Sequence, residues 1–141
     1  DSINGGNGQD ILKLDAGNIH LDLSGGGAPS VSGFETVDLT ADNGQTEFSI
    51  TDTDVAAMSA EGNAEIFAEL GISQDTLLVN GDEEDILNLV QQSADGGSWV
   101  LDAAATGTYD GYDVFTYTNG VGLVATVAVD EDVQTNLVNI S

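Results

Sequence analysis

The sequence predicts an all-β protein, a β-sandwich or β-roll-like domain with one or two short helices. Three observations carry this. Short runs of β-type residues alternate apolar and polar along most of the chain. Clusters of glycine, asparagine and aspartate separate those runs as turns do. Helical periodicity is confined to the middle of the 141 residues. A chain of this length forms one folding unit that buries about two-thirds of its unfolded surface.

The N-terminal stretch is a repeat. Residues 5–13 read GGNGQDILK and fit the nonapeptide GGxGxDxUx, where U is a large apolar residue. Asp1-Ser2-Ile3-Asn4 fits the last four positions of a preceding copy, so Asp1 and Asp10 are in phase, as are Ile3 and Leu12. Residues 19–23 alternate strictly and form a half-buried strand that Gly25-Gly26-Gly27-Ala28-Pro29 breaks. Val37 and Leu39 share a face of the next strand. Asp42-Asn43-Gly44 signals a hairpin, with Phe48 and Ile50 beyond it. Residues 51–60 offer a threonine cap, acids in the first turn, and Val55 three before Met58, which predicts a helix. Residues 63–70 predict a second, with Ile66, Phe67 and Leu70 on one face and Gly71 as its stop. Strands follow over 76–79, 86–90 and 98–101, the last carrying the only tryptophan. Residues 112–118 and 121–129 flank Asn119-Gly120, the strongest hairpin signal in the chain.

Twenty-five acids face one lysine, Lys13, and one histidine, for a formal charge of −24. Internal salt bridges cannot offset that charge, so the compact state repels itself unless cations from solution are taken up. Nucleic acid is excluded as a partner on the same ground. The 40% apolar content and the β alternation argue against disorder. The chain has no cysteine, which removes disulfides and thiolate zinc sites. No apolar run reaches the ~20 residues of a membrane span, and no secretory signal peptide is visible at residue 1. Numbering that begins inside a repeat is expected of a fragment of a longer chain.

Chemistry points to calcium before catalysis. Glycines in the repeat admit positive φ and turn bare carbonyls inward, and the aspartate adds hard carboxylate oxygen. Asp82-Glu83-Glu84-Asp85, Asp130-Glu131-Asp132, and Asp110 with Asp113 crowd like charge into short turns. A bound cation would offset that cost, and Asp82 and Asp85 are the candidate ligands of the first cluster; the alternative is a solvated acidic turn. None follows the EF-hand spacing. His20 shares a strand face with Asp22 opposite Ile19, Leu21 and Leu23 and should be exposed, with no nucleophile set around it. Catalysis is not expected.

The nonapeptide resembles the RTX repeat, the parallel β-roll of proteins exported by Gram-negative type I secretion. The resemblance implies that Asp10 is the carboxylate ligand, that Gly5, Asn7 and Gly8 offer backbone oxygens, and that Asp1 repeats the ligand one copy earlier. It divides the chain into the end of a repeat tract, residues 1–15, and a C-terminal β-domain, residues 16–141. The segments SGFETVDLT, ITDTDVAAM, DTLLVNGDEEDILNL, DGYDVFTY and VATVAVDEDV, in that order, resemble the C-terminal module of large RTX adhesins. Residues 60–74 stand as an insertion against that pattern. In that family the DTLLVNGDEEDILNL segment forms a hairpin.

That second resemblance implies a non-catalytic, secreted, cell-surface module that binds Ca²⁺ and carries the type I secretion signal. Members serve biofilm cell adhesion, and at least one is an ice-binding adhesin. Expected partners are the type I secretion apparatus (an ABC transporter) during export and neighbouring RTX repeats of the same chain. No nucleic acid, no membrane insertion and a monomer are expected. The alternative is a calcium-dependent peptide- or glycan-binding adhesion domain, which tyrosines gathered at Tyr109, Tyr112 and Tyr117 would support. A third reading is a fragment of an extracellular hydrolase with an RTX tail.

Overall fold

Alternating runs closed by aspartate and asparagine corners fold into twelve short strands and one helix among the described residues. The structure is a computed structural model that describes residues 2–7, 10–14, 19–24, 30–40, 44–58, 76–92, 94–102 and 111–139. The helix expected over 63–70 and the breaker over 25–29 lie outside them, as do Asp1, Gly8, Asp42, Asn43, Tyr109 and Asp110.

From β1 to β8 successive strands do not pair with each other; they pair with their counterparts one winding later. The first winding contains β1 (Ser2–Asn4), β2 (Ile11–Lys13) and β3 (His20–Asp22). The second contains β4 (Ser30–Ser32), β5 (Thr36–Asp38) and β6 (Glu47–Thr51). Each strand of the first pairs in parallel with its counterpart in the second: Ile3 opposite Val31, Leu12 opposite Val37, Leu21 opposite Phe48. β7 (Thr76–Asn80) and β8 (Ile86–Val90) stack on β5 and β6 in the same sense. β11 (Leu123–Asp130) and β12 (Gln134–Val138) stack on β7 and β8. The result is a parallel solenoid in which each winding adds one strand to each of two main sheets. Of the two all-β forms expected, this is the roll.

Two expected hairpins are therefore corners instead. β5 and β6 lie in different sheets, and so do β7 and β8. The described residues between β7 and β8 steer the chain from one sheet to the next. The Asn119-Gly120 hairpin is real: β10 (Tyr112–Thr118) runs antiparallel to β11. β9 (Ser98–Leu101) adds antiparallel to β10 as the last strand of its sheet. The repeat segment and the rest of the chain share this architecture, because β2 belongs to the same six-stranded sheet as β5, β7 and β11.

The core forms stacked rows between the two sheets. Leu12, Val37, Val79 and Val129 make one row in register. Leu21, Phe48 and Leu87 make another, facing it. Apart from Leu12 and Leu21 on the first winding, these side chains are fully buried. At the other end Trp99 and Tyr117 meet edge to face, with ring centroids 5.7 Å apart. The single described helix, α1 (Asp52–Met58), follows β6 and buries Val55 and Met58. Thr51 caps it: its Oγ1 accepts the Asp54 N–H at 3.1 Å, and the Asp54 carboxylate accepts from the Thr51 N–H and hydroxyl.

Aspartate recurs at the corners for a local reason. Asp22, Asp38, Asp82, Asp95 and Asp130 each accept the backbone N–H two residues ahead. Asn4 and Asn119 do the same. These Asx turns hold the bend that each winding needs.

Candidate metal centre

The stacking of the first two windings brings two carboxylates together. Ile11 pairs with Thr36, so the preceding residues, Asp10 and Glu35, occupy equivalent places on neighbouring windings. The Glu35 and Thr36 N–H groups donate to the Asp10 carbonyl oxygen at 3.1 and 3.4 Å. The Asp10 N–H donates to Glu35 Oε2 at 2.8 Å. Glu35 is fully buried. Asp10 is partly buried, yet its Oδ2 is sealed from solvent and accepts no hydrogen bond from the described residues. A buried carboxylate oxygen with no donor is costly, and a second carboxylate beside it makes it more so. Lys13 cannot relieve the pair, since it is exposed and stands in register with Asp38.

Glycine is required where the repeat loop crosses this place. A Cβ on Gly5 would lie 2.2 Å from the Gly33 carbonyl oxygen and 3.1 Å from Asp10 Cγ. A backbone oxygen of the second winding and the Asp10 carboxyl group thus border the same space beside Gly5. Gly6 has φ of 99°, open to glycine and strained for other residues. Asn7 is exposed beside it, and Asn4 Oδ1 accepts the Gly6 N–H at 2.8 Å. Asp1 and Gly8, also expected as ligands, lie outside the described residues.

Glu35 escaped the sequence reading because SGFETVDLT reads as a plain strand entry. The pattern was present. Asp10-Ile11-Leu12 and Glu35-Thr36-Val37 are both acid, any residue, aliphatic. Laying one winding over the next would have paired the acids. Among the described residues no three acidic or histidine side chains gather as a metal cluster. A cation at Asp10 and Glu35 would take its other ligands from backbone oxygen, as hard calcium sites do.

Asp82 and Asp85, the candidate ligands of the acidic turn, accept backbone N–H groups there. Asp85 is fully buried, and each of its oxygens accepts a backbone N–H: Thr46 at 3.1 Å and Asp82 at 2.9 Å. It staples its own turn to the winding below. Asp82 Oδ1 accepts the Glu84 N–H at 3.0 Å. The turn packs so tightly that a Cβ on Gly81 would meet Val133 Cγ2 at 2.5 Å.

His20 is exposed, as expected, with Nε2 3.9 Å from Glu47 Oε1. The neighbouring Asp22 carboxyl is held below its ordinary range, chiefly by the Ser24 hydroxyl and then the Ser24 N–H. Tyr112 and Tyr117, the two described tyrosines, do not form an exposed patch. Tyr117 is core, and Tyr112 is half-buried with its hydroxyl donating to Asn80 Oδ1 at 2.7 Å. The Tyr117 hydroxyl donates to Asp95 Oδ1 at 2.6 Å. Burial first, and the Asp95 bond next, push the Tyr117 phenol up to about 12. In return the Tyr117 bond and then the Asn119 amide hold Asp95 below its ordinary range. Comparison with protein-family models, with curated proteins and with solved structures finds no match.

Proposed function

We propose that this chain is a non-catalytic, calcium-stabilised module of a large exported bacterial surface adhesin, and that it carries a type I secretion signal. The observation that carries the calcium part is the Asp10 Oδ2, buried without a donor beside the fully buried Glu35. The donor set fits: two hard carboxylates, backbone oxygen drawn close by Gly5, and no side-chain cation in register. Asp10 and Glu35 would hold the ion, which would neutralise both and tie the first winding to the second.

The adhesin and export parts rest on the sequence resemblance, with the ABC transporter and neighbouring repeats as partners and the cell surface as destination. Physical chemistry supports the pairing. A site of the weak extracellular class, ~10⁻⁴–10⁻³ M, stays empty at cytosolic calcium and fills outside. Binding to the folded state alone then favours folding after export.

Calorimetric titration of the whole chain with calcium tests the metal reading. Wild type should bind with sub-millimolar to millimolar affinity, magnesium poorly, and Asp10→Ala should lose that binding while its far-ultraviolet spectrum stays β-type. Absence of binding at millimolar calcium, or unchanged binding in the variant, rejects it. Recovery of a fused slow-folding passenger in the medium tests export. Removing the last dozen residues is unsuited to that assay, because β12 is a hydrogen-bonded strand of its sheet and Val133 is core.

A further inference from the structure

Asparagine is followed by glycine at Asn4, Asn7, Asn43, Asn80 and Asn119. A glycine in that place has no Cβ to shield its amide nitrogen, which can attack the asparagine side chain. Asn4, Asn80 and Asn119 are described together with their glycines, and the fold treats them differently. At Asn4 the attacking nitrogen is engaged, because the Gly5 N–H donates to the Ser32 carbonyl at 3.0 Å. At Asn80 the side-chain oxygen accepts the Tyr112 hydroxyl at 2.7 Å, and Gly81 is wedged against Val133.

Asn119 has a different setting. Its Oδ1 accepts two backbone N–H groups at once, from Val121 at 2.8 Å and from Gly122 at 3.1 Å. Its Nδ2 donates to Asp95 Oδ2 at 2.8 Å. Donors at one atom and a carboxylate at the other fix which of the two is oxygen. The Val121 bond closes an Asx turn, which folds the side chain back over the peptide joining Asn119 to Gly120 and brings Cγ toward the Gly120 nitrogen. Asp95 is itself fixed, since its Oδ1 accepts the Tyr117 hydroxyl at 2.6 Å and the Gly97 N–H at 3.0 Å.

We propose that the Asn119–Gly120 loop is a self-modification site, which converts its own asparagine to aspartate and isoaspartate through a cyclic imide with water as co-reactant. The Gly120 nitrogen bonds to Asn119 Cγ and gives its proton to a solvent base. Negative charge develops on Oδ1, where the Val121 and Gly122 N–H groups already point. The Cγ–Nδ2 bond then breaks. Asp95 accepts an Nδ2 hydrogen and so makes that nitrogen more basic; it takes a proton from solvent and leaves as ammonia. Water opens the imide at either carbonyl. The new carboxylate stands beside the Asp95 carboxylate, where an amide had bonded to it, and the two repel. Isoaspartate also adds a methylene to the main chain and breaks the reciprocal Asn119–Gly122 bonds. The loop thereby loosens the β10–β11 hairpin end as the protein ages.

Peptide mapping by mass spectrometry tests this on the whole chain, incubated warm at neutral pH, by the amide-to-acid mass gain at each asparagine. Asn4 and Asn80 are controls in the same chain, and a synthetic peptide of residues 116–124 gives the rate without the fold. A buried oxyanion donor is worth about 10²–10³ in rate; water lowers that in an exposed loop, and Asn119 should convert roughly tenfold faster than in the peptide. Val121→Pro, at a position 98% exposed, deletes one donor to Oδ1. Asp95→Ser keeps an oxygen for the Gly97 N–H and deletes the carboxylate. Each should slow conversion several-fold while the far-ultraviolet spectrum stays β-type. A wild-type rate no higher than the peptide's overturns the proposal, as does equal conversion at Asn4 or Asn80. So does either variant that converts as fast as wild type or faster, which would make the network a guard against the reaction.

Discussion

Glu35→Gln separates the metal reading from general charge relief. Neighbouring strands stand ~4.8 Å apart, and Glu35 lies one winding above Asp10. Two unit charges at that spacing repel by up to about 3.5 kcal/mol at an effective dielectric of about 20. The substitution keeps the shape and an oxygen for the Asp10 N–H, removes one charge, and brings an amide that can donate to the orphaned Asp10 Oδ2. In chelator the variant should therefore melt higher than wild type. In calcium the order should narrow or reverse. A site of ~10⁻⁴–10⁻³ M at about 10 mM calcium stabilises the wild type by ~1.4–2.7 kcal/mol. At about 2–4 °C per kcal/mol for a chain of this size, that is roughly 3–10 °C. The variant should gain little. Circular-dichroism melts of both proteins, with calcium and with chelator, provide all four values. A variant that keeps the full calcium increment refutes Glu35 as a ligand, and a wild type with no increment refutes the site.

Three further outcomes follow from single residues. Asp85→Ala leaves the Thr46 and Asp82 N–H groups without their acceptor and should cost about 2–4 kcal/mol in denaturant unfolding; a loss under about 0.5 kcal/mol would show that water replaces the staple. Gly5→Ala forces a Cβ onto the Gly33 carbonyl and should cost about 1–3 kcal/mol while weakening calcium binding, read by the same melts and titration. The Tyr117 phenol, raised to about 12, contributes stability that is complete below its unfolded value near 10 and is lost as pH rises from there through 12. Alkaline unfolding should track that window, and Tyr117→Phe should remove this dependence; an unchanged alkaline midpoint in the variant would assign the transition elsewhere.

Much of the local structure was legible in the sequence, and little of the pairing was. Alternation located β3 with His20 and Asp22 outward, and the Thr51 cap located α1. Asn119-Gly120 marked a hairpin whose loop closes by reciprocal Asn119 and Gly122 main-chain bonds. The same Asn, Asp and Gly chemistry also makes corners between sheets. Asp42-Asn43-Gly44 and residues 80–85 could not be told from hairpins, because what differs is the partner strand, one winding away. Glu35 was illegible for the same reason. Its neighbour Asp10 is 25 residues distant and adjacent only through the parallel register.

The charge of −24 is weaker support for calcium than it first appears on composition. Five aspartates are accounted for by the corners they hold, accepting the N–H two residues ahead. Asp54 caps α1, Asp85 staples two windings, and the Asp52 carboxylate accepts the Gln92 N–H at 2.6 Å. Those eight acids have geometric reasons to be where they are with no ion present. What they leave behind is a diffuse field, and any salt screens such a field beyond about 10 Å at 0.1 M. Sodium chloride should therefore stabilise the chain as well, smoothly and without saturation at low concentration. The Asp10–Glu35 pair is different in kind, because Glu35 and the Asp10 Oδ2 are buried, the two residues are adjacent, and a Debye atmosphere reaches them only weakly. Calcium should add a saturating increment on top of the salt effect, present at matched ionic strength and missing with magnesium, which demands a small octahedral shell. If calcium and sodium at equal ionic strength give the same melting curve, the field explains everything, and the pair must be stabilised in some other way.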